Sequence, residues 1–126
     1  MTMDRHERQM LGYAHLAHLA GHSDGRVRFL ILCGTAACRA GYADVAARCR
    51  DAILALNPRH LAARWETLAD ALRDAEFDTF LRSVERQCPW ERSEHELAAR
   101  GIDLDDTADA TLTAVVESLL PSGEST

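Results

Sequence analysis

Apolar residues along this chain recur at steps of three and four, with polar residues between them, the period of helices that bury one face on a core. Met10, Tyr13, Leu16, Ala17 and Ala20 form the first such stripe. They predict a helix over Arg5–Ala20, stopped by the Gly-His-Ser-Asp-Gly run at 21–25. There glycine takes the left-handed cap, and Ser23 or Asp24 starts the next helix. A second helix is expected over 26–40, closed by Gly41, and a third over Ala43–Leu56. The third ends at Asn57-Pro58, because proline cannot continue the hydrogen-bond ladder. A fourth is expected over 60–74 with Trp65, Leu68, Ala69 and Leu72 turned inward, and a fifth over 76–87 with Phe77, Phe80, Leu81 and Val84 inward. Cys88-Pro89 is the next stop. A short sixth helix over 91–100 breaks at Gly101, and Asp105 or Asp106 caps a seventh carrying Leu112, Val115, Val116 and Leu119 as far as Leu120-Pro121. No segment alternates with period two, so the expected fold is all-α, with about seven helices in antiparallel hairpins and no sheet.

The three prolines, Pro58, Pro89 and Pro121, stand 31 and 32 residues apart, and each interval holds a helix pair. Within 27–58, small residues occupy particular places. Gly34 and Ala46 lie where two helices would cross, Gly41 at the turn between them and Pro58 at the end. This segment resembles a tetratricopeptide repeat, a helix–turn–helix unit of about 34 residues. Counted from Val27, Leu30, Cys33, Gly34 and Ala37 fill the signature sites of the first helix, and Ala46 fills the small site of the second. Arg50 and Ile53 depart from the pattern, standing where a bulky aromatic and a small alanine are usual. The stretch 59–89 aligns as a degenerate repeat through Trp65, Leu68, Ala71 and Phe77, and 90–121 as a vestigial one through Gly101. The expected organisation is one helical repeat-like domain over 1–121, with an N-terminal helix in 1–24 and a flexible tail at 122–126.

A hairpin of this kind cannot bury its apolar face alone, so the resemblance implies a short α-solenoid of stacked hairpins with a concave groove for another polypeptide. By that analogy Arg28, Thr35 and Arg39 from one helix and Trp65, Ala69 and Arg73 from the next would line the groove. The implied function is a non-enzymatic adaptor or chaperone that holds a peptide or helix of another protein. The small, acidic, repeat-containing chaperones of bacterial type III secretion are the sharper form of that likeness.

Composition narrows the partner. The 126 residues include 14 basic side chains, all arginine, against 20 acidic ones, for a net charge of −6. That balance argues against a nucleic-acid partner, whose phosphates need a basic face. The longest apolar runs fall well short of a membrane span, and the N-terminal residues show no apolar signal segment, so the expected location is cytoplasmic with no membrane partner. The four cysteines, Cys33, Cys38, Cys49 and Cys88, show no C-x-x-C pairing and read as small buried hydrophobes.

Three groups carry alternative chemistry. His15, His18 and His22 share one side of the first helix and offer a partial metal site, although the same residues suit a solvated face. Cys88-Pro89 is a dipeptide of some haem-sensing proteins, and helix termination explains it equally. The run at 103–109 is rich in aspartate but lacks the central glycine and final glutamate of a calcium loop. No phosphate-cradling loop or nucleophile elbow is present, so neither a catalytic residue nor a metal or cofactor is expected. The alternative functional readings are a metal or haem sensor and a self-associating domain, a homodimer, built on a helix at 107–120.

Overall fold

The computed structural model describes residues 3–21, 24–105 and 112–120, with Asp24 known in its backbone alone. Among them are seven α-helices and no strand. The helices are α1 (Arg5–Ala20), α2 (Asp24–Ala40), α3 (Ala43–Leu56), α4 (Leu68–Ala71), α5 (Ala75–Gln87), α6 (Trp90–Ala99) and α7 (Leu112–Leu119), with a 3-10 turn at Leu61–Arg64. The fold is all-α and built from helical hairpins, as the periodicity requires.

Local chemistry sets most of the helix ends. Asp4 and Glu7 form a reciprocal capping box at the start of α1: each carboxylate accepts the other residue's backbone N–H, at 2.8 and 3.1 Å. Gly41 has φ +87°, and behind it the Gly41 and Tyr42 N–H groups donate to the Cys38 and Ala37 carbonyls, closing α2 in a Schellman turn. Gly101, at φ +76°, closes α6 in the same way, with its own N–H and that of Ile102 directed to Ala98 and Leu97.

The middle of α2 is buried on every side, from Leu30 through Ala37. A helix with no solvent face belongs at the centre of the fold, and α2 packs against α1, α3, α4 and α5. α1 is also covered on more than one side, since α6 and α7 both pack against it. Leu11 and Ala14 are therefore buried together with Met10, Tyr13, Leu16 and Ala17. Ser23 and residues 106–111, which contain candidate caps for α2 and α7, lie outside the described residues, as does the tail at 122–126.

The expected fourth helix over 60–74 is not continuous. After the 3-10 turn, Trp65 (φ −116°, ψ 146°) and Thr67 (φ −135°, ψ 160°) are extended, and only Leu68–Ala71 is α-helical. Two polar contacts hold the break. The Arg50 guanidinium of α3 donates from Nε (3.0 Å) and Nη2 (2.6 Å) to the Trp65 carbonyl, which is thereby withdrawn from any helical ladder. The Thr67 hydroxyl accepts the Asp70 N–H at 3.1 Å and caps α4. In consequence Ala69, expected to face inward, is exposed, and Trp65 is half-buried with its ring edge-on to Phe77 at 5.5 Å.

Candidate functional site: two clefts beside the central helix

Small residues shape the surface around α2. At Gly34 a Cβ would run into the Leu68 side chain and lie 3.1 Å from Cys49 Cβ. The missing side chain thus lets α3 approach closely and gives Leu68 a seat. Leu68 is fully buried there, worth about 2 kcal/mol by its transfer free energy. With Leu68 as its floor and Arg50 bracing its far wall, a cleft of about 280 Å³ opens between α3 and the Glu66–Ala69 segment. Ala43, Ala46 and Ala47 form the α3 wall, Thr67 and Ala69 the other, and Cys38 lies at the base. Asp51 and Glu66 stand on opposite rims at the Arg50 end; both are exposed, and neither forms an ion pair among the described residues.

A second cleft, of about 210 Å³, lies between α1, α2 and the α5–α6 turn. Its lining is more polar: Arg5, Gln9, Arg39, Glu85 and Glu91 surround the Tyr13 and Trp90 rings. Arg39 pairs loosely with Glu85 at 3.7 Å. Trp90 lies against Gly12, where a Cβ would come within 2.5 Å of the indole, and meets Tyr13 edge-on at 5.3 Å. The Tyr13 hydroxyl donates to the Cys88 carbonyl at 3.0 Å, and burial is the main cause that pushes its pKa up to about 12.

The six residues expected to form one groove do not come together. Thr35 and Arg39 border the second cleft and Ala69 the first, while Arg28, Trp65 and Arg73 line neither. Thr35 is only 2% exposed, and its hydroxyl proton is already given to the Ile31 carbonyl at 2.8 Å. Arg73 is exposed and paired with Asp70 at 3.1 Å, and Arg28 is simply exposed. The first cleft depends on Arg50, which the repeat pattern marks only as a departure; the second depends on Gly12 and Trp90, which the pattern passes over.

The alternative chemistry is also located. Cys33 and Cys49 are buried, Cys38 and Cys88 half-buried, and all four thiols are free. The Cys33 thiol donates to the Met10 carbonyl at 3.3 Å; its contact with Cys49, with burial added, pushes its pKa well up. Burial likewise raises that of Cys38. His15 is half-buried and lowered in pKa by burial and by neighbouring His18, which is exposed; His22 lies outside the described residues. Among the described residues no three His, Cys, Asp or Glu side chains are close enough to hold a metal ion, and no helix is long and apolar enough to cross a membrane. Of the aspartate-rich run, Asp105 is fastened to Arg8 of α1 and takes its own cap from Asp103, while 106–109 lie outside the described residues.

Comparison of the chain with protein-family models, curated proteins and solved structures returns no match.

Proposed function

We propose that this chain is a non-enzymatic protein-interaction module, an adaptor or chaperone that holds a peptide or helix of another protein in the cleft beside α3. One observation carries the reading: an open apolar trough walled by alanines, whose far side is already fixed by Arg50 before any partner arrives. A preformed wall costs a partner less ordering entropy than a wall that must assemble on binding. The tetratricopeptide likeness of 27–58 and its sharper form, a small acidic secretion chaperone working in the cytoplasm, agree with this reading through the Gly34 crossing and the Gly41 turn.

Photo-crosslinking in the native host tests it. A crosslinking amino acid placed at Ala47 or Ala69 should yield discrete adducts with another protein, whereas the same probe at exposed Arg92 on α6 should not. No adduct from either cleft position, or the same adducts from all three, would refute the reading.

A further inference from the structure

The α3 cleft has a direction. Ala43, Ala46 and Ala47 succeed one another along one face of α3, and the same face continues into Arg50 and Asp51. Over these residues, roughly 12 Å of helix at 1.5 Å per residue, the lining changes from apolar to charged. At the charged end the arginine is already engaged: Nε and Nη2 of Arg50 both serve the Trp65 carbonyl. Asp51 and Glu66, one on each wall, form no ion pair among the described residues, and Arg50 keeps its positive charge while serving a neutral carbonyl, so two carboxylates stand against one guanidinium and the balance at this end is acidic. The net charge of −6 draws cations to the molecule as a whole. A carboxylate-bearing occupant would meet repulsion at the rim, and a wholly apolar one would leave the rim unanswered.

We infer that the cleft takes a peptide segment carrying a bulky aliphatic side chain and, about one helical turn away, a lysine or arginine. The aliphatic group lies over Ala46 and Ala47, and the cation sits between Asp51 and Glu66. This rests on the interaction reading above and adds the chemistry of the partner. The alanines leave the volume that a leucine- or methionine-sized group fills, and the rim carboxylates set the orientation in which the segment lies. Exposed ion pairs are individually weak, so the rim supplies orientation and discrimination while the apolar trough supplies the larger share of affinity.

Panning a random peptide display library of about 12-residue inserts tests this directly. Sequences retained by the wild-type chain and not by an Ala47→Arg variant should be enriched in lysine or arginine one turn from leucine, isoleucine or methionine. For the best of them, labelled and measured by fluorescence anisotropy, Asp51→Asn/Glu66→Gln should weaken binding about fivefold, two weak pairs' worth. Asp78→Asn/Glu96→Gln removes two carboxylates away from the cleft, each paired with the arginine four residues further on, and should leave binding unchanged. Enrichment of acidic or purely apolar peptides, no enrichment at all, or equal weakening by both double variants would overturn the inference. Circular dichroism of Ala47→Arg confirms that the variant is folded; if it is not, Ala69→Arg on the facing wall replaces it. Crosslinking from Ala47 would survive such a failure if the chain holds a partner of different chemistry, so the two readings fall separately.

Discussion

The two clefts beside α2 are built on the same device and held by different means. In each, a helical glycine leaves a hollow that a large side chain from elsewhere fills, Leu68 at Gly34 and Trp90 at Gly12. The Trp90 side of the second cleft belongs to a regular ten-residue helix with its own hydrogen-bond ladder. The Leu68 side of the first belongs to a segment with one four-residue helical turn, pinned across the gap by an arginine on α3. A wall with few internal hydrogen bonds owes its position to tertiary contacts, so the apolar cleft should be the more sensitive of the two to losing one of them.

Filling the Gly34 hollow tests this most severely. Gly34→Leu would drive a side chain into Leu68 and Cys49 and should cost about 3 kcal/mol, read as a lower urea midpoint. An unchanged midpoint would mean that the hollow has room to spare. Next comes Arg50→Ala, which leaves the Trp65 carbonyl without its partner and should cost about 2 kcal/mol. Amide exchange at 66–71 should accelerate while that of 30–37 does not; uniform acceleration would show that Arg50 stabilises the whole fold and not this wall. Gly12→Ala in the second cleft combines a gain in helix propensity of about 1 kcal/mol with a clash against the indole. A net loss of about 1 kcal/mol and a shift in tryptophan emission are expected, and no emission change would place Trp90 elsewhere. Arg39→Ala, breaking a loose exposed pair, should change stability by less than about 0.5 kcal/mol.

The smallest effect at neutral pH appears only in alkali. Tyr13 is held neutral chiefly by burial, and Tyr42 chiefly by its hydrogen bond to the Glu7 carboxylate; both pKa values are raised from 10.0 to about 12. Both therefore contribute stability that is complete below pH 10 and is lost as pH rises from 10 to 12, because the unfolded chain ionises first. Ultraviolet titration should show both phenols ionising near pH 12 in the folded chain. A tyrosine ionising near pH 10 while the protein remains folded would contradict the environment described for it.

What was legible in the sequence was local. The bounds of α1 and α3 and the stops at Gly41 and Gly101 follow from caps, turns and period, and of the expected inward set Phe77, Phe80, Leu81 and Val84 the structure buries all but Phe80, which is half-buried. The break in 60–74 was not legible. Its residues have helical spacing, and what interrupts them is a guanidinium fifteen positions away reaching the Trp65 carbonyl. The nominated groove residues scattered for a related reason. Even helical spacing put Thr35 on a face with Arg28 and Arg39, yet α2 has no open face at its centre, and the threonine turned its hydroxyl back onto its own helix.

The packing of α7 against α1 has a consequence for synthesis on the ribosome. Translation delivers α1, α2 and α3 in order, so each can settle on its predecessor as it emerges. The flank of α1 that α7 covers has no such immediate neighbour, and it stays bare while some ninety further residues are made. At the usual pace of elongation that is roughly five to twenty seconds of exposed nascent apolar surface, during which the young chain is itself a client for protection.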